Sequence, residues 1–189
     1  RLNDKFYEFA RKHNNFFIND IQYLSSCYGI DKWSDSFSWY MYKYSLNIRA
    51  IPLLSHNIAR IIKSIYGRNK KAIVLDLDNT LWGGIVGDDG VQGLEIGPET
   101  ALGQAYLDFQ YYIKQQKSIG VLLNVCSKND KENAYEGLNH PNCILHPEDF
   151  LVIKSNWNPK SYNISEICST LNILEESIVF IDDNPAERE

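Results

Sequence analysis

Apolar and polar positions along this chain repeat with two periods. Residues 72–76 (Ala72-Ile73-Val74-Leu75-Asp76) are a short β-branched run that predicts a buried strand. Runs at 121–126, 143–146 and 177–181 predict three more. Between them the period lengthens. Leu102, Ala105, Tyr106, Phe109 and Ile113 share one helical face and predict a helix over 101–118, ended by Gly120. A short polar helix is expected over 130–137. Another is expected over 160–171, with Ile164, Ile167, Cys168 and Leu171 on one face. Strands alternating with helices imply an α/β fold with right-handed crossovers and a parallel sheet flanked by helices. Ligands of such sheets bind beyond the carboxyl ends of the strands. Three of the predicted strands end in polar residues there: Asp76, Ser127 and Asp182.

Residues 83–100 carry six glycines, which argues for a hairpin or flap rather than a helix, and the segment is too short for a folded cap domain. The stretch 67–71 (Gly67-Arg68-Asn69-Lys70-Lys71) is the clearest boundary and divides the chain into 1–68 and 69–189. Before it, 16–20 reads as a strand, and Leu54, Ile58, Ile61, Ile62 and Ile65 form an amphipathic helix. The aromatic run from Trp33 to Tyr44 is expected to be packing.

Composition narrows the class. The 189 residues are 44% hydrophobic and 23% charged, the profile of a folded globular chain. No apolar run approaches the roughly 20 residues of a membrane span, so no membrane partner is expected. Cys27, Cys126, Cys143 and Cys168 form no paired spacing and no disulfide framework, which points to a reducing cytoplasm. The chain starts at Arg1 and is expected to be a piece of a longer protein. Its net charge of −5 is unevenly spread. Residues 1–70 hold 11 basic and 5 acidic side chains, and residues 71–189 hold 8 and 19. That acidic second part argues against a nucleic-acid partner. An anionic ligand bound there would need a cation as mediator.

The chemistry sits at the strand ends. In chain order come Asp76-Leu77-Asp78-Asn79-Thr80, then Ser127, then a lysine (Lys154 or Lys160), then Asp182-Asp183. Carboxylates gathered from two strand ends repel one another, and a hard, oxygen-seeking cation such as Mg²⁺ relieves that repulsion. The cation, a lysine and a hydroxyl together can hold a phosphoryl group. One carboxylate can then attack phosphorus while a second, two residues on, moves the proton.

This order of motifs resembles the haloacid dehalogenase superfamily of phosphotransferases, over about residues 71–189. The resemblance implies a Rossmann-like sheet with a minimal cap. It makes Asp76 the nucleophile and Asp78 the general acid and base. Ser127 and a lysine, Lys160 by its place after Trp157-Asn158-Pro159, bind the phosphoryl group. Mg²⁺ is held by Asp76, the backbone carbonyl of Asp78, and Asp182 or Asp183. Lys128 and Asn129 become further substrate contacts. The segments 78–84, 126–130, 156–160 and 180–188 look like the FkbH-like subfamily. For that subfamily the implied substrate is a small phosphorylated acid such as 1,3-bisphosphoglycerate, and the implied partner is an acyl carrier protein loaded with a glyceryl-type unit. Residues 1–66 look like the tail of an SGNH-hydrolase-like α/β region. They lack that fold's Gly-Asp-Ser and Asp-x-x-His motifs, so no esterase activity is expected. Cys126, next to Ser127, is open to two readings: a packed core thiol or an acyl acceptor. A plain phosphatase and a catalytically silent module of a larger synthase are the rival functions. A receiver-like signalling domain is disfavoured by the order of its acidic residues.

Overall fold

The computed structural model describes residues 2–188. The chain divides between Asn69 and Lys70 into two compact units.

The described residues of the first unit are helical: α1 (Leu2–Lys12), α2 (Ile21–Tyr28), α3 (Ile30–Trp33), α4 (Ser36–Tyr42) and α5 (Ile51–Ile65). The strand expected at 16–20 does not form. Phe16 instead packs edge-on against Phe9 of α1, with ring centroids 5.0 Å apart. Asp20 caps α2 by accepting the Tyr23 N–H at 2.9 Å and also takes the Tyr7 hydroxyl. No strand is present among the described residues of this unit, so the expected α/β character is absent from it. In the aromatic run Trp33 packs edge-on against Tyr28, and Tyr42 packs against Phe37 and Tyr44. Trp39, Tyr40 and Tyr42 of α4 are all largely exposed.

The second unit is an α/β fold around a parallel sheet. Its elements are β1 (Ala72–Leu75), α6 (Val86–Asp89), α7 (Ala101–Ser118), β2 (Leu122–Ser127), α8 (Lys131–Leu138), β3 (Val152–Ser155), α9 (Lys160–Leu171) and β4 (Ile178–Ile181). The sheet order is β3-β2-β1-β4, with every pairing parallel. The chain winds outward from β1 to β3, then crosses to the far side of β1 for β4. The sheet's switch point therefore lies between β1 and β4.

All four residues of β1 are buried, because both sheet faces are covered. Strand alternation sends Ile73 and Leu75 to one face, where they join Ile113 of α7 and Leu138 of α8. Ala72 and Val74 face the other way and meet Ile167 and Cys168 of α9. Each fully buried aliphatic side chain in these layers contributes about 1.5–3 kcal/mol.

The third strand is Val152–Ser155, not 143–146. Cys143 and Leu145 are buried as their alternation suggested, but their segment pairs with a side chain. Gln110 of α7, itself fully buried, accepts the Ile144 and Leu145 N–H groups through Oε1 at 2.9 and 3.1 Å. It donates to the Leu81 carbonyl through Nε2 at 2.8 Å. The real β3 lies at the sheet edge and is half-buried throughout, so it shows no clean alternation.

The glycine-rich segment is closed down on the core. Gly83 and Glu95 exchange backbone hydrogen bonds of 3.1 and 2.8 Å, and Val86, Leu94 and Ile96 are buried. Thr100 then caps α7, accepting the Gly103 N–H at 2.9 Å.

Candidate active site

The site forms where β1 and β4 run out side by side. The register pairs Leu75 with Ile181, and the Asp76 N–H extends the ladder by donating to the Ile181 carbonyl at 3.0 Å. Asp76 and Asp182 are thereby neighbours at the switch point. After Asp76 the chain leaves β geometry. Asn79 takes a left-handed conformation (φ 55°), and Thr80 and Leu81 both donate to the Leu77 carbonyl. Leu77 goes fully into the core, while Asp76 and Asp78 remain on the site side.

Carboxylate oxygens of Asp76, Asp182 and Asp183 lie within 4.8 Å of one another. Asp76 and Asp182 are buried and Asp183 is exposed. Lys160, the first residue of α9, inserts its ammonium between the buried two, 3.0 Å from Asp76 Oδ2 and 2.5 Å from Asp182 Oδ2. A cation at a helix N-terminus opposes the helix dipole, and here two carboxylates offset that cost. Burial works against the lysine's charge, but Asp182 and Asp76 outweigh it and hold its pKa above the usual lysine value. Burial pushes the Asp76 carboxyl up, against the pull of Lys160 and the neighbouring Ser127 hydroxyl. Among the described residues the other oxygen of Asp76, Oδ1, is buried with no hydrogen-bond partner. An orphaned carboxylate oxygen beside two further acids is a donor set that fits a hard divalent cation.

Asp78 is turned differently. Its carboxylate lies outside the acid cluster: Oδ1 accepts the Trp82 indole N–H at 2.9 Å and the Val86 N–H at 3.2 Å, and Oδ2 accepts Asn129 Nδ2 at 2.8 Å. As a metal ligand Asp78 can therefore serve only through its backbone carbonyl. Burial raises its pKa, the Trp82 and Val86 donors oppose this, and the charges of Asp76 and Asp183 add to the rise. A carboxyl that holds its proton to higher pH suits a proton donor.

The remaining candidates separate clearly. Ser127 ends β2 and is buried. Asn129 is buried too, with its donor spent on Asp78 and its Oδ1 accepting from Asp130 N–H and Asn133. It is placed to orient Asp78. Lys128 is half-exposed at the rim and paired with Glu187 at 2.5 Å. Lys154 pairs with Glu166 at 2.9 Å, so of the two candidate lysines it is Lys160 that reaches the acids.

Cys126 is fully buried, points to the α9 side of the sheet with Ile167 and Cys168, and lies 3.8 Å from the Lys160 carbonyl. Burial pushes its thiol up to about 11. Adjacent strand residues face opposite ways, so Cys126 turns away from Ser127. That is a packing position and a correction to the acyl-acceptor reading.

Two features were not read from the sequence. Trp82 touches Asp78 directly, its indole N–H donating to the carboxylate. A groove of ≈ 340 Å³ also runs from Asp182 and Asp183 along α7, walled by Leu102, Ala105, Tyr106 and Phe109. These are residues whose helical spacing suggested burial, yet Leu102 is half-exposed. Of that face Ile113 is buried and Phe109 packs against the core, and Gly103 and Gln110 enter the core beside them.

No helix among the described residues is long and apolar enough to cross a membrane. No protein-family model and no curated protein matches the chain. Among solved structures, the chain is similar to the crystal structure of the N-terminal part of the protein BF1531 from Bacteroides fragilis, which contains a phosphatase domain and is complexed with Mg. The two share 39% identity and superpose with a TM-score of 0.91 over 99% of this chain. This chain spans 50% of that one, and the shared α/β fold is that of a chain bearing a Mg-complexed phosphatase domain.

Proposed function

We propose that this chain is a Mg²⁺-dependent phosphotransferase of the haloacid dehalogenase type, working through an aspartyl-phosphate on Asp76. The observation that carries the reading is the buried Asp76 carboxylate. One oxygen is tied to Lys160 and the other has no hydrogen-bond partner among the described residues, beside Asp182 and Asp183. Mg²⁺ held by Asp76, Asp182 and Asp183 would supply neutralisation of phosphoryl charge at that point. The similarity to a Mg-complexed phosphatase domain supports the same cation.

The chain's own residues account for the rest. Lys160 and the Ser127 hydroxyl offer donors to the phosphoryl oxygens. Asp76 attacks phosphorus as the bond to the leaving oxygen breaks, and the Asp78 proton goes to that oxygen. Asp78 then takes a proton from water as water attacks the aspartyl-phosphate, releasing phosphate and restoring Asp76.

The finer reading is FkbH-like. The substrate is a small phosphorylated acid such as 1,3-bisphosphoglycerate. In this reading the thiol of an acyl carrier protein attacks the acyl carbon, the carbon–oxygen bond to phosphate breaks, and Asp76, Lys160 and Ser127 hold the departing phosphate instead of Asp76 attacking phosphorus. A plain phosphatase of phosphomonoesters is the second reading. It is favoured by the burial of Cys126, which leaves no thiol of this strand facing the site.

Phosphate release from 1,3-bisphosphoglycerate and a panel of monoesters tests both, with Mg²⁺, with chelator, and with Asp76→Asn. Release that needs Mg²⁺ and Asp76 is expected. Preference for the acyl phosphate supports the first reading, and preference for monoesters supports the second. Activity that survives Asp76→Asn overturns the mechanism.

A further inference from the structure

Three donors fall on the Asp78 carboxylate. Two of them, the Trp82 indole N–H at 2.9 Å and the Val86 N–H at 3.2 Å, go to Oδ1. The third, Asn129 Nδ2 at 2.8 Å, goes to Oδ2. Each carboxyl oxygen offers two lone-pair directions. Among the described residues Oδ1 is thus filled and Oδ2 keeps one direction open.

The donors cannot drift. Trp82 is fully buried, and α8 lies hard against it at Gly137. A Cβ on residue 137 would come within 2.6 Å of indole Cζ2 and 2.8 Å of Cη2. The Asn129 amide is locked in one sense, because its Oδ1 already accepts from the Asp130 N–H at 2.9 Å and Asn133 Nδ2 at 3.2 Å. A buried tryptophan commonly finds some acceptor for its N–H. Here the acceptor is a side chain whose other oxygen is held by a second fixed donor, Asn129 Nδ2.

We propose that Trp82 and Asn129 are positioning residues that clamp the Asp78 carboxyl so that Oδ2 alone carries and delivers the proton to the leaving oxygen. The inference rests on the phosphotransfer reading above. The proton balance is simple. The Asp76–phosphorus bond forms, the phosphorus–leaving-oxygen bond breaks, and the proton moves from Asp78 Oδ2 to that oxygen. Water later returns a proton to the same atom.

Such a clamp matters most where the leaving group needs the proton. A p-nitrophenolate departs readily as an anion, whereas an alkoxide does not. General-acid help is worth about 10²–10⁴-fold. Loss of a residue that only fills the core lowers turnover of every substrate alike.

The test compares kcat/KM for p-nitrophenyl phosphate, phenyl phosphate and a simple alkyl phosphate in wild type, Trp82→Phe and Asn129→Ala, with Mg²⁺ saturating. Trp82→Phe keeps the aromatic packing and removes the N–H. Asn129→Ala is a truncation in a loop and serves where Trp82→Phe does not fold. For each variant, alkyl phosphate turnover should fall on the order of 10²-fold further than p-nitrophenyl phosphate turnover, chiefly in kcat. Equal losses across the three substrates would overturn the clamp while leaving the phosphotransfer reading intact. A folded wild type with no activity on any phosphate ester or acyl phosphate removes that reading and the clamp together.

Discussion

Lys160 and a bound cation should compete for the same carboxylates, and Lys160→Met measures that competition. The lysine side chain is 5% exposed, and it touches Asp76 and Asp182, which are 9% and 0% exposed. Removing one member of a buried ionic cluster costs about 3–5 kcal/mol, because the partners' charge is left uncompensated. Methionine preserves the stem's volume, so that cost is electrostatic rather than a cavity. In chelator, Lys160→Met should therefore lower the urea unfolding free energy by about 3–5 kcal/mol. Mg²⁺ should restore part of the loss. At a hundredfold over its Kd a ligand stabilises by about 2.7 kcal/mol. The variant, freed of a positive neighbour, should also bind Mg²⁺ at least tenfold tighter, adding about 1.4 kcal/mol. Paired urea titrations with and without Mg²⁺ read the stabilities, and calorimetry reads the affinities. Inorganic phosphate inhibition should weaken in the same variant, because a phosphoryl donor is gone. Destabilisation that Mg²⁺ leaves untouched, or weaker Mg²⁺ binding in the variant, would refute a shared carboxylate site.

Other predictions follow from the same geometry. Asp149 is buried and bonded to Lys114 and Lys117 of α7 at 2.6 and 2.7 Å. Burial would raise its pKa, but the two lysines and the His146 N–H reverse this and hold it at about 2. A depressed folded pKa stabilises above the unfolded value near 3.8, and that stability is lost as pH falls toward about 2. Asp149→Asn should cost about 1–2 kcal/mol at neutral pH, reduced from a larger value by screening of the half-exposed lysines. Its deficit in a pH series of denaturation curves should shrink below pH 4, and a constant deficit would count against the ionic origin. In the α7 groove, Leu102→Asp should raise KM for naphthyl phosphate more than for glycerol phosphate. Equal changes would mean that leaving groups do not lie there. In a thiol-reagent titration Cys27, which is exposed, should react at once, while Cys126, Cys143 and Cys168 stay protected until unfolding. Fast labelling of Cys126 would reopen its role in acyl transfer.

How legible each part was depended on whether its cause was local. The strand ends at Asp76, Ser127 and Asp182 could be read because a buried β-branched run followed by a polar residue is a local pattern. The parallel sheet and its helices followed from alternation of the two periods. The segment 143–146 misled because buried alternation looks alike whether a neighbouring strand or Gln110 satisfies the backbone. Strand β3 escaped because an edge strand, half wet on both sides, has no two-residue signature. The orientation of α7 also escaped. Its apolar spacing marks an apolar face, but Gln110 and Gly103 enter the core while Leu102 lines a groove.

By itself the sequence determined the chemistry available: an α/β chain with acidic residues at the ends of two strands, a hydroxyl at a third and a lysine at the start of a helix. These follow from side-chain type and short-range periodicity, which no distant contact alters. Tertiary structure alone decided which groups meet. It selected Lys160 over Lys154, because only the first turn of α9 reaches the switch point between β1 and β4. It buried Cys126 on the α9 side, turned the Asp78 carboxylate out of the acid cluster onto Trp82 and Asn129, and pressed Gly137 against that indole. Apart from the Asp78–Trp82 bond, which spans four positions, each of those contacts joins residues tens of positions apart. Their meeting is set by the winding of the sheet and the packing of helices on its faces, which no window of sequence contains.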